Sequence, residues 1–479
     1  MKISFQSQNA KISASELASL SRGMLREDRL AHIEVSGICT DSREVDENTA
    51  FVALKGERAD GHDYIASAIG NGCRCVVCEH SNEAVEEADA AAIVVGDSEL
   101  ALSYLANAYK STLSCKTVAV TGSVGKTTAK DMIASVLSQK KRTFHSSGNY
   151  NSVIGMPLSV LEIPRETEYA VLEMGMSAFG EIERMSVTAE PDIAVITNIG
   201  TSHMEMLGSR ENICRAKLEI LCGLKNGGYL LLNGDEPLLS DISGKGYRTL
   251  YVSLGCDSAD FLAQNIRIRS QGTYFDVRYR GTVYSDLFIP VMGRHNVYAG
   301  LYAFAVGLLA GLTAEEIRSG LQQYTPAQMR QNRYTVGDIT VIEDCYNASP
   351  ESMNAAIDVL CEYSRLSMGR SVAVLGDMLE LGKQSSELHR RVGLHLADCG
   401  VERLFALGHD GVQIAVGARQ AGMKNNDIYK NSNREDTDCI GDAIVKELRP
   451  GDVVLFKASR GVRLERIIDY IKQHYQDIR

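Results

Sequence analysis

The residues from 118 to 128, VAVTGSVGKTT, combine glycine, lysine and threonine at a spacing that suits phosphate binding. Gly122 and Gly125 allow backbone N–H groups to approach phosphate oxygens, and Lys126 supplies a positive charge. The Thr127 hydroxyl is suited to binding magnesium. A chance glycine turn before a helix is the plainer interpretation, and the loop lacks the further glycine of the general pattern at Val120. The complete GKTT signature nevertheless predicts chemistry that starts from a nucleoside triphosphate.

Apolar residues on both sides of this loop indicate the elements that position it. The segment 116–120 has the pattern of a short buried strand, and apolar residues then recur at helical spacing from Met132 to Leu137. The loop therefore joins a strand to a helix. The positive end of that helix dipole would face the phosphates.

Two further apolar segments, 169–175 and 192–200, become polar only at their C-terminal ends. Parallel strands buried on both faces have this pattern, and ligands collect beyond their carboxyl ends. Glu173 and His203 are thus expected near the phosphates. Each residue alone could be an ordinary strand-end charge or loop histidine, but their shared position beside a phosphate loop favours a functional role.

The rest of this central region predicts helices and a hairpin. Residues 211–221 form an amphipathic helix, on which Lys217 by pattern alone is a solvated lysine. Alternation around 270–272 predicts an antiparallel hairpin, and Asn296 lies at the start of an alanine-rich helix that extends to about residue 310. Thr313 and Glu316 form a capping box for one more helix.

The length of 479 residues predicts three domains at about 150 residues each. We place them at 1–113, 114–327 and 328–479. In the first, short apolar segments end at polar clusters, which fits either a ligand site or ordinary turns, and Cys73, Cys75 and Cys78 are expected to be buried thiols rather than zinc ligands. In the third, strands at 371–377, 404–408 and 452–460 predict a second doubly wound sheet. The fold class is therefore α/β with mostly parallel sheets.

Composition limits the partners. A formal net charge of -11 disfavours a general nucleic-acid-binding surface, although local basic pockets for anionic substrates remain compatible with it. The first twenty residues lack an export signal, and no run of about 18 apolar residues predicts a membrane span. Twelve scattered cysteines are expected to be reduced. We expect a cytoplasmic monomer.

Several stretches of this sequence together resemble those of a known protein family. The chain resembles the Mur ligases through eight stretches that occur in the family's order: TGSVGKTTAKDM, VLEMG, PDIAVITNIGTSHMEMLGS, RAKLEI, MGRHNV, EDCYNASPESM, LGDMLELG and KASRG. They span all three predicted domains. The EDCYNASPESM and LGDMLELG stretches favour a member that adds a dipeptide over those that add one amino acid.

The resemblance implies roles for particular residues. The phosphate-loop residues are Gly122, Ser123, Val124, Gly125, Lys126, Thr127 and Thr128. The implied metal ligands, for two magnesium ions, are Thr127, Glu173, His203 and a carbamylated Lys217. The implied catalytic residues are Lys126, Lys217, His203 and Arg330.

Other matches concern the substrates. Asn296 falls where the family contacts the adenine end of ATP, and Arg330 and Asp344 fall where the third domain reaches the ATP phosphates and ribose. Met329 replaces the glycine that usually precedes Arg330, so Arg333 is the alternative residue for the contact with the ATP phosphates. Ala458 replaces a usual glycine in KASRG. The residues implied for the UDP-substrate are Ser42, Arg43, Lys55, His62, Asn149 and Asn151.

The resemblance implies that the first domain binds the UDP-sugar-peptide and that the second binds ATP. It implies that the third domain is Rossmann-like, binds the incoming dipeptide and closes on ATP. The implied activity is ATP-dependent, magnesium-dependent addition of D-alanyl-D-alanine to UDP-N-acetylmuramoyl-tripeptide in peptidoglycan precursor synthesis. The third tripeptide residue, lysine or diaminopimelate, stays open. The alternatives are a single-amino-acid-adding Mur ligase, folylpolyglutamate synthase, a phosphate-loop kinase or regulatory NTPase, and a non-catalytic nucleotide-binding module. A phosphate-loop kinase or regulatory NTPase leaves LGDMLELG and the second doubly wound sheet without an explanation. A non-catalytic module gives no reason for His203 and Lys217 to be present together with Glu173, and a substrate panel would separate folylpolyglutamate synthase.

Overall fold

The structure, a computed structural model, describes residues 2–4, 11–56, 59–80, 83–148 and 150–475. These residues form three main sheets in chain order and one small two-stranded ribbon. Among them, no helix is both long and apolar enough to cross a membrane.

The first sheet has the order β1-β5-β6-β7-β8-β3, with parallel pairing from β5 to β8 and antiparallel strands at both edges. Its strands and the β2–β4 ribbon are β1 Lys2–Ser4, β2 Ile12–Ser13, β3 Met24–Leu25, β4 Glu34–Val35, β5 Gly37–Cys39, β6 Thr49–Val52, β7 Cys75–Cys78 and β8 Ala91–Val94. The helices of this region are α1 Ala14–Leu20, α2 Ile65–Gly70, α3 Glu83–Glu87 and α4 Ser98–Ser111. Cys73, Cys75 and Cys78 are buried, unpaired thiols, which confirms the prediction from their apolar surroundings.

The central sheet has the order β10-β11-β9-β12-β13-β14-β15-β16-β17. Its strands are β9 Lys116–Thr121, β10 Thr143–His145, β11 Tyr169–Glu173, β12 Ile193–Ile196, β13 Gly228–Asn233, β14 Tyr247–Ser253, β15 Phe261–Arg269, β16 Gly272–Tyr279 and β17 Thr282–Ile289. The helices are α5 Lys126–Leu137, α6 Gly155–Leu161, α7 Glu181–Ala189, α8 Met204–Leu207, α9 Arg210–Leu218, α10 Arg294–Leu309 and α11 Ala314–Gln322. Pairing is parallel from β10 to β15 and antiparallel from β15 to β17, so the predicted hairpin is confirmed and extended by one strand.

Both faces of the central sheet are covered. Alternate residues of β9 enter different cores: Ala119 packs with helices α6 and α7 on one side, whereas Val118 and Val120 pack with α5 and α10 on the other. This explains why the strand is apolar without alternation, since a strand buried on both faces has no solvent side.

Two predicted helices in this region can be compared directly. Thr313 caps α11 with the predicted capping box. The helix predicted for 211–221 is α-helical only as α9, and residues Glu219–Gly223 continue as a tighter 3-10 turn.

The third sheet has the order β18-β19-β23-β20-β21-β22 and is parallel except for the β18–β19 pair. Its strands are β18 Asn332–Val336, β19 Ile339–Glu343, β20 Ser371–Leu375, β21 Arg403–Leu407, β22 Ile428–Asn431 and β23 Val453–Lys457. The helices are α12 Pro350–Ser367, α13 Ser385–Asp398, α14 Val412–Gln420, α15 Thr437–Glu447 and α16 Glu465–His474. Two apolar clusters cover its opposite faces, which confirms the predicted doubly wound sheet.

Candidate active site

A cleft of about 490 Å³ is lined by residues of both the central and the third sheet regions. The phosphate loop, Glu173 and His203 contribute from the central region, and Arg330 and Asp344 contribute from the third. The strands β9, β11 and β12 all end at this cleft, so it lies beyond the carboxyl ends of parallel strands, as predicted.

The phosphate loop is held by the residues that follow β12. Val124 N donates to Asn198 Oδ1 at 2.8 Å, Ser123 N donates to Asn198 O at 3.1 Å, and Thr197 Oγ1 donates to Val124 O at 2.6 Å. Gly122 has a φ of 145°, and a Cβ at this position would overlap Thr197 Oγ1. A glycine is therefore required where the loop turns against β12.

Lys126 is the first residue of α5, and its amine donates to Gly122 O at 2.9 Å. Burial lowers the pKa of this amine below its ordinary value, Arg330 lowers it further, and the carboxylate of Glu173 opposes both effects. The charges of Lys126, Glu173 and Arg330 therefore act on one another across the cleft.

Glu173 ends β11 and is only 2% exposed. Its two carboxylate oxygens accept hydrogen bonds from Thr127 Oγ1 and from Asn151 Nδ2, each at 2.8 Å. Both donors are neutral groups. Among the described residues, the buried carboxylate of Glu173 therefore lies beside the Thr127 hydroxyl without a hydrogen bond from a positively charged side chain. Hard cations such as magnesium prefer these oxygen ligands.

The donor set fits a nucleoside triphosphate. The hydroxyl of Ser123 is buried, lines the cleft and has no hydrogen-bond partner among the described residues. Buried polar groups without partners are rare in proteins and often mark a ligand position. Together with the N-terminus of α5 and the loop N–H groups, it forms an anion site.

His203 lies at the start of α8 in the left-handed conformation, with a φ of 63°. Its Nδ1 pairs with Glu380 Oε2 of the third region at 2.7 Å, and this hydrogen bond lowers the pKa of the Glu380 carboxyl. Nearby, Thr201 Oγ1 donates to Glu351 Oε1 at 3.0 Å. The segment after β12 thus connects the phosphate loop to the third sheet region.

Part of the cleft wall is formed by a partly buried network of hydrogen-bonded polar side chains. Asn296 Nδ2 donates to Gln331 Oε1 at 2.8 Å, and Gln331 Nε2 lies 2.8 Å from His295 Nε2. Burial lowers the pKa of His295 to about 4, so its imidazole is neutral at neutral pH. Asp344 Oδ2 accepts from the buried amine of Lys457 at 2.7 Å. Asn296 and Asp344, to which the resemblance gives roles in ATP binding, both line the cleft.

The two arginine candidates occupy different places. Arg330 lines the cleft and lies 4.2 Å from the centre of the Tyr346 ring. Arg333 stacks on Tyr363 and donates to Ser270 O, and it lines a separate pocket. The geometry favours Arg330 for contact with ATP.

Lys217 is 2% exposed, in contrast to the solvated lysine that its pattern alone indicates. Burial lowers the pKa of its amine well below the ordinary lysine value, and the charge of Lys126 lowers it further. Among the residues that the structure describes, none donates to, accepts from or forms an ion pair with this amine. Burial of this kind disfavours the protonated, charged form of an amine.

The residues predicted for the UDP-substrate are divided between two regions. Asn151 lines the cleft, and Asn149 lies outside the described residues. The others lie in the first sheet region and, in the part of the chain that the structure describes, do not line the cleft: Ser42, Arg43, Lys55 and His62.

Two of these residues are already engaged locally. His62 Nδ1 pairs with Asp60 at 2.6 Å, and His62 Nε2 accepts from Glu79 N at 2.9 Å, so both ring nitrogens have partners within the region. Arg43 forms an exposed ion pair with Asp41. His62 therefore has a structural role here, and its predicted contact with substrate would require these bonds to change.

Four residues were not singled out from the sequence. Three of them, His295, Gln331 and Lys457, line the cleft, and the fourth, Glu380, pairs with His203. Lys457 ends β23 within KASRG and Glu380 lies in LGDMLELG, so the motifs contained both residues without indicating their partners. Gln331 has a φ of 52° and carries no motif that could have identified it.

Comparisons with known proteins agree with this geometry. Three domain descriptions match the chain: "Mur ligase family, catalytic domain" at residues 34–110, "Mur ligase middle domain" at 120–307, and "Mur ligase, glutamate ligase domain" at 329–460. The UDP-N-acetylmuramoyl-tripeptide–D-alanyl-D-alanine ligase of Bacillus subtilis is 39% identical over 459 residues, which cover 96% of this chain and 98% of the relative.

Solved structures agree as well. A crystal structure of MurF from Acinetobacter baumannii is similar with a TM-score of 0.87 and 31% identity, covering 97% of this chain and 99% of the other. The MurF ligase of Thermotoga maritima, solved in complex with ADP, has a TM-score of 0.82 and 28% identity, covering 92% and 98%. From the fold, the cleft and these full-length similarities, we conclude that the chain belongs to the Mur ligase family.

Proposed function

We propose that this chain is the ATP-dependent ligase that adds D-alanyl-D-alanine to UDP-N-acetylmuramoyl-tripeptide, in peptidoglycan precursor synthesis. The observation that carries the proposal is the cleft in which a phosphate loop and Glu173 face Arg330 and Asp344 of a second doubly wound region. A simple phosphate-loop kinase gives no reason for the second region. The family and the full-length similarity to dipeptide-adding ligases support the choice of substrates.

The three regions would divide the work. We propose that residues 1–113 hold the UDP-sugar, that 114–327 bind ATP, and that 328–479 bind the dipeptide and close on ATP. Ser42, Arg43, Lys55, His62 and Asn149 stay predictions for the UDP-substrate, and a monomeric, cytoplasmic enzyme is likewise a prediction. Asn151 is the predicted residue that lies both on the cleft and beside Glu173.

The reaction requires activation of a carboxylate, which is a poor electrophile. The terminal carboxylate oxygen of the tripeptide attacks the γ-phosphorus of ATP, ADP leaves, and an acyl phosphate remains. The dipeptide amine then attacks the acyl carbon, giving a tetrahedral intermediate. Phosphate leaves with its bonding electrons, and the amine loses a proton as the amide forms.

The residues on the cleft supply positive charge for these steps. Lys126 and Arg330 would stabilise the transferring phosphoryl group and then the oxyanion, since both steps concentrate negative charge. Asn296 and Asp344 would orient the nucleoside. Thr127, Glu173 and His203, with a carbamylated Lys217, would hold magnesium. When bound, magnesium supplies charge neutralisation between the two approaching anions.

Release of inorganic phosphate with a panel of acceptors tests the function. With ATP and UDP-N-acetylmuramoyl-tripeptides ending in lysine or diaminopimelate, we expect D-alanyl-D-alanine to give the fastest release, because the third region carries the dipeptide-type stretches. Free lysine, D-glutamate and alanine should be slower by at least roughly 100-fold, since a missing residue loses its binding contacts.

The same panel separates the alternatives. A kinase would form ADP and a stable phosphorylated product without stoichiometric phosphate release. A folylpolyglutamate synthase would require a folate and glutamate instead. Faster phosphate release with any single amino acid would reject the dipeptide assignment.

Arg330 and Arg333 offer a matched pair of substitutions. We expect Arg330→Ala to lower kcat by roughly 100-fold, the typical effect of removing one preorganised donor to developing charge. Arg333→Ala should lower it by less than roughly 10-fold, because its guanidinium contacts Tyr363 and Ser270 outside the cleft. Steady-state phosphate release measures both, and a larger loss in Arg333→Ala would reverse the assignment.

A further inference from the structure

A cluster of metal-ligating side chains lies away from the cleft, between helices α12 and α13. Asp358 Oδ1 is 2.8 Å from His395 Nε2, and Cys399 Sγ is 3.5 Å from Asp358 Oδ1 and 3.4 Å from His395 Nε2. One ligand atom from each residue thus converges on the same small volume. In the described chain, none of the three lines the proposed active site.

A second thiol, that of Cys361, lies beside Cys399 but outside the group of three whose ligand atoms all lie within 4.8 Å of one another. Cys361 is one helical turn beyond Asp358 on α12, and it is close enough to Cys399 for the two thiols to share a hydrogen bond. His395 and Cys399 are four residues apart at the end of α13. Residues three and four apart lie on one face of a helix, so each helix offers a pair of ligands to the other.

The distances suit a tetrahedral site. With zinc bonds of about 2.3 Å to sulfur and about 2.1 Å to nitrogen or oxygen, the ligand atoms of a tetrahedral site are about 3.4–3.6 Å apart. The two distances from Cys399 Sγ, 3.4 and 3.5 Å, are close to this value. The Asp358–His395 pair, at 2.8 Å, would have to open slightly, and the Cys361 side chain would have to turn toward the other three to become the fourth ligand.

An ordinary surface ion pair is the simpler explanation of the Asp358–His395 contact. Such pairs contribute little and need no further ligands. An ion pair gives no reason, however, for the partly buried thiol of Cys399, which lies within 3.5 Å of both ion-paired atoms. A mixture of sulfur, imidazole and carboxylate ligands matches the preference of zinc rather than that of magnesium or calcium.

We propose that this cluster is a structural zinc site that ties α12 to α13, with four ligands: Asp358, Cys361, His395 and Cys399. Four protein ligands leave no open position, so the site is structural and not catalytic. Zinc binds cysteine as the thiolate, so binding replaces the two thiol protons, which go to solvent, by zinc–sulfur bonds.

Cobalt(II), which replaces zinc in tetrahedral sites and absorbs light, tests the proposal in the full-length protein. The reduced, metal-stripped protein is titrated with cobalt(II) alone and then with zinc. We expect one equivalent to give a thiolate-to-cobalt charge-transfer band, and zinc to remove it. Cys399→Ser and His395→Ala should each weaken zinc binding by roughly 100-fold, and zinc should raise the Tm of the parent protein but not that of Cys399→Ser.

Two exposed cysteines serve as matched controls, because chance thiol ligation would involve them first. Cys222→Ser and Cys439→Ser should keep the band and the zinc affinity. Absence of a thiolate band in the parent protein overturns the proposal without the need for any variant to fold. A band that survives both Cys399→Ser and His395→Ala, or that is lost in Cys439→Ser, overturns it as well.

Discussion

Replacing Lys126 with methionine is expected to lower kcat for phosphate release by roughly 1,000-fold, because the lysine stabilises charge on the transferring phosphoryl group. Methionine keeps most of the side-chain length and removes the charge. Binding of the UDP-substrate should change by less than roughly 3-fold, because its sugar nucleotide is assigned to another region. Steady-state phosphate release and calorimetric titration of the UDP-substrate measure the two effects separately.

The control for this prediction is Lys225→Met, which removes an exposed lysine that pairs with Asp192. It should change kcat by less than roughly 2-fold, as surface substitutions usually do. Equal losses of turnover and UDP-substrate affinity in Lys126→Met would argue against the division of labour between the regions.

The central and third sheets were predictable because burial on both faces leaves a clear mark on a sequence. Segments such as β11 and β12 are largely apolar and lead into polar residues at the cleft. The first region gave a weaker signal. Its strands are two to four residues long, too short for any periodicity to show.

The phosphate loop was predictable because its chemistry is local: glycines, lysine and threonine act within one turn. Contacts between regions were not predictable in this way. The pairing of His203 with Glu380 and of Asp344 with Lys457 joins residues more than a hundred positions apart, and neither partner carries a signal of the other. The choice between Arg330 and Arg333 has the same origin, since Arg330 precedes β18 and lines the cleft, whereas Arg333 lies in β18 and contacts the distant residues Ser270 and Tyr363.

Lys217 shows the limit of local reasoning most clearly. Its position on α9 indicates a solvated charge. In the fold the side chain is instead completely buried, close enough to Lys126 of the phosphate loop for the two charges to interact. Only the resemblance to the family pointed to a role. The structure adds a physical reason, which is that burial and the nearby charge of Lys126 both lower the pKa of this amine and disfavour its protonated form.

Lys217→Ala is expected to lower kcat by roughly 1,000-fold or more, because we propose that Lys217 is carbamylated and contributes a negative charge to the metal site. The neutral amine attacks carbon dioxide, a nitrogen–carbon bond forms, and one proton is released to solvent. The product is a carbamate with two oxygens, suited to a hard cation near Glu173. An ammonium in the same place would repel that cation.

The lowered pKa of Lys217 sets the direction of the pH dependence. Above the folded-state pKa the amine is neutral and can form the carbamate, whereas below it the amine is protonated and cannot. Because burial moves this pKa well below that of a free lysine, the carbamate should form at a lower pH than it would on a free lysine. Activity that depends on it should fall as the pH falls through the folded-state pKa.

Carbon-13 NMR with labelled bicarbonate gives a readout that does not depend on turnover. We expect a carbamate resonance in the parent protein and in Lys225→Ala, and none in Lys217→Ala. Short carboxylates added to Lys217→Ala should restore part of the activity, since they offer the missing anionic oxygens. Normal turnover of Lys217→Ala at saturating magnesium, or a high-resolution map with an unmodified, solvent-facing amine in the nucleotide complex, would show that the buried lysine serves only the packing of α9.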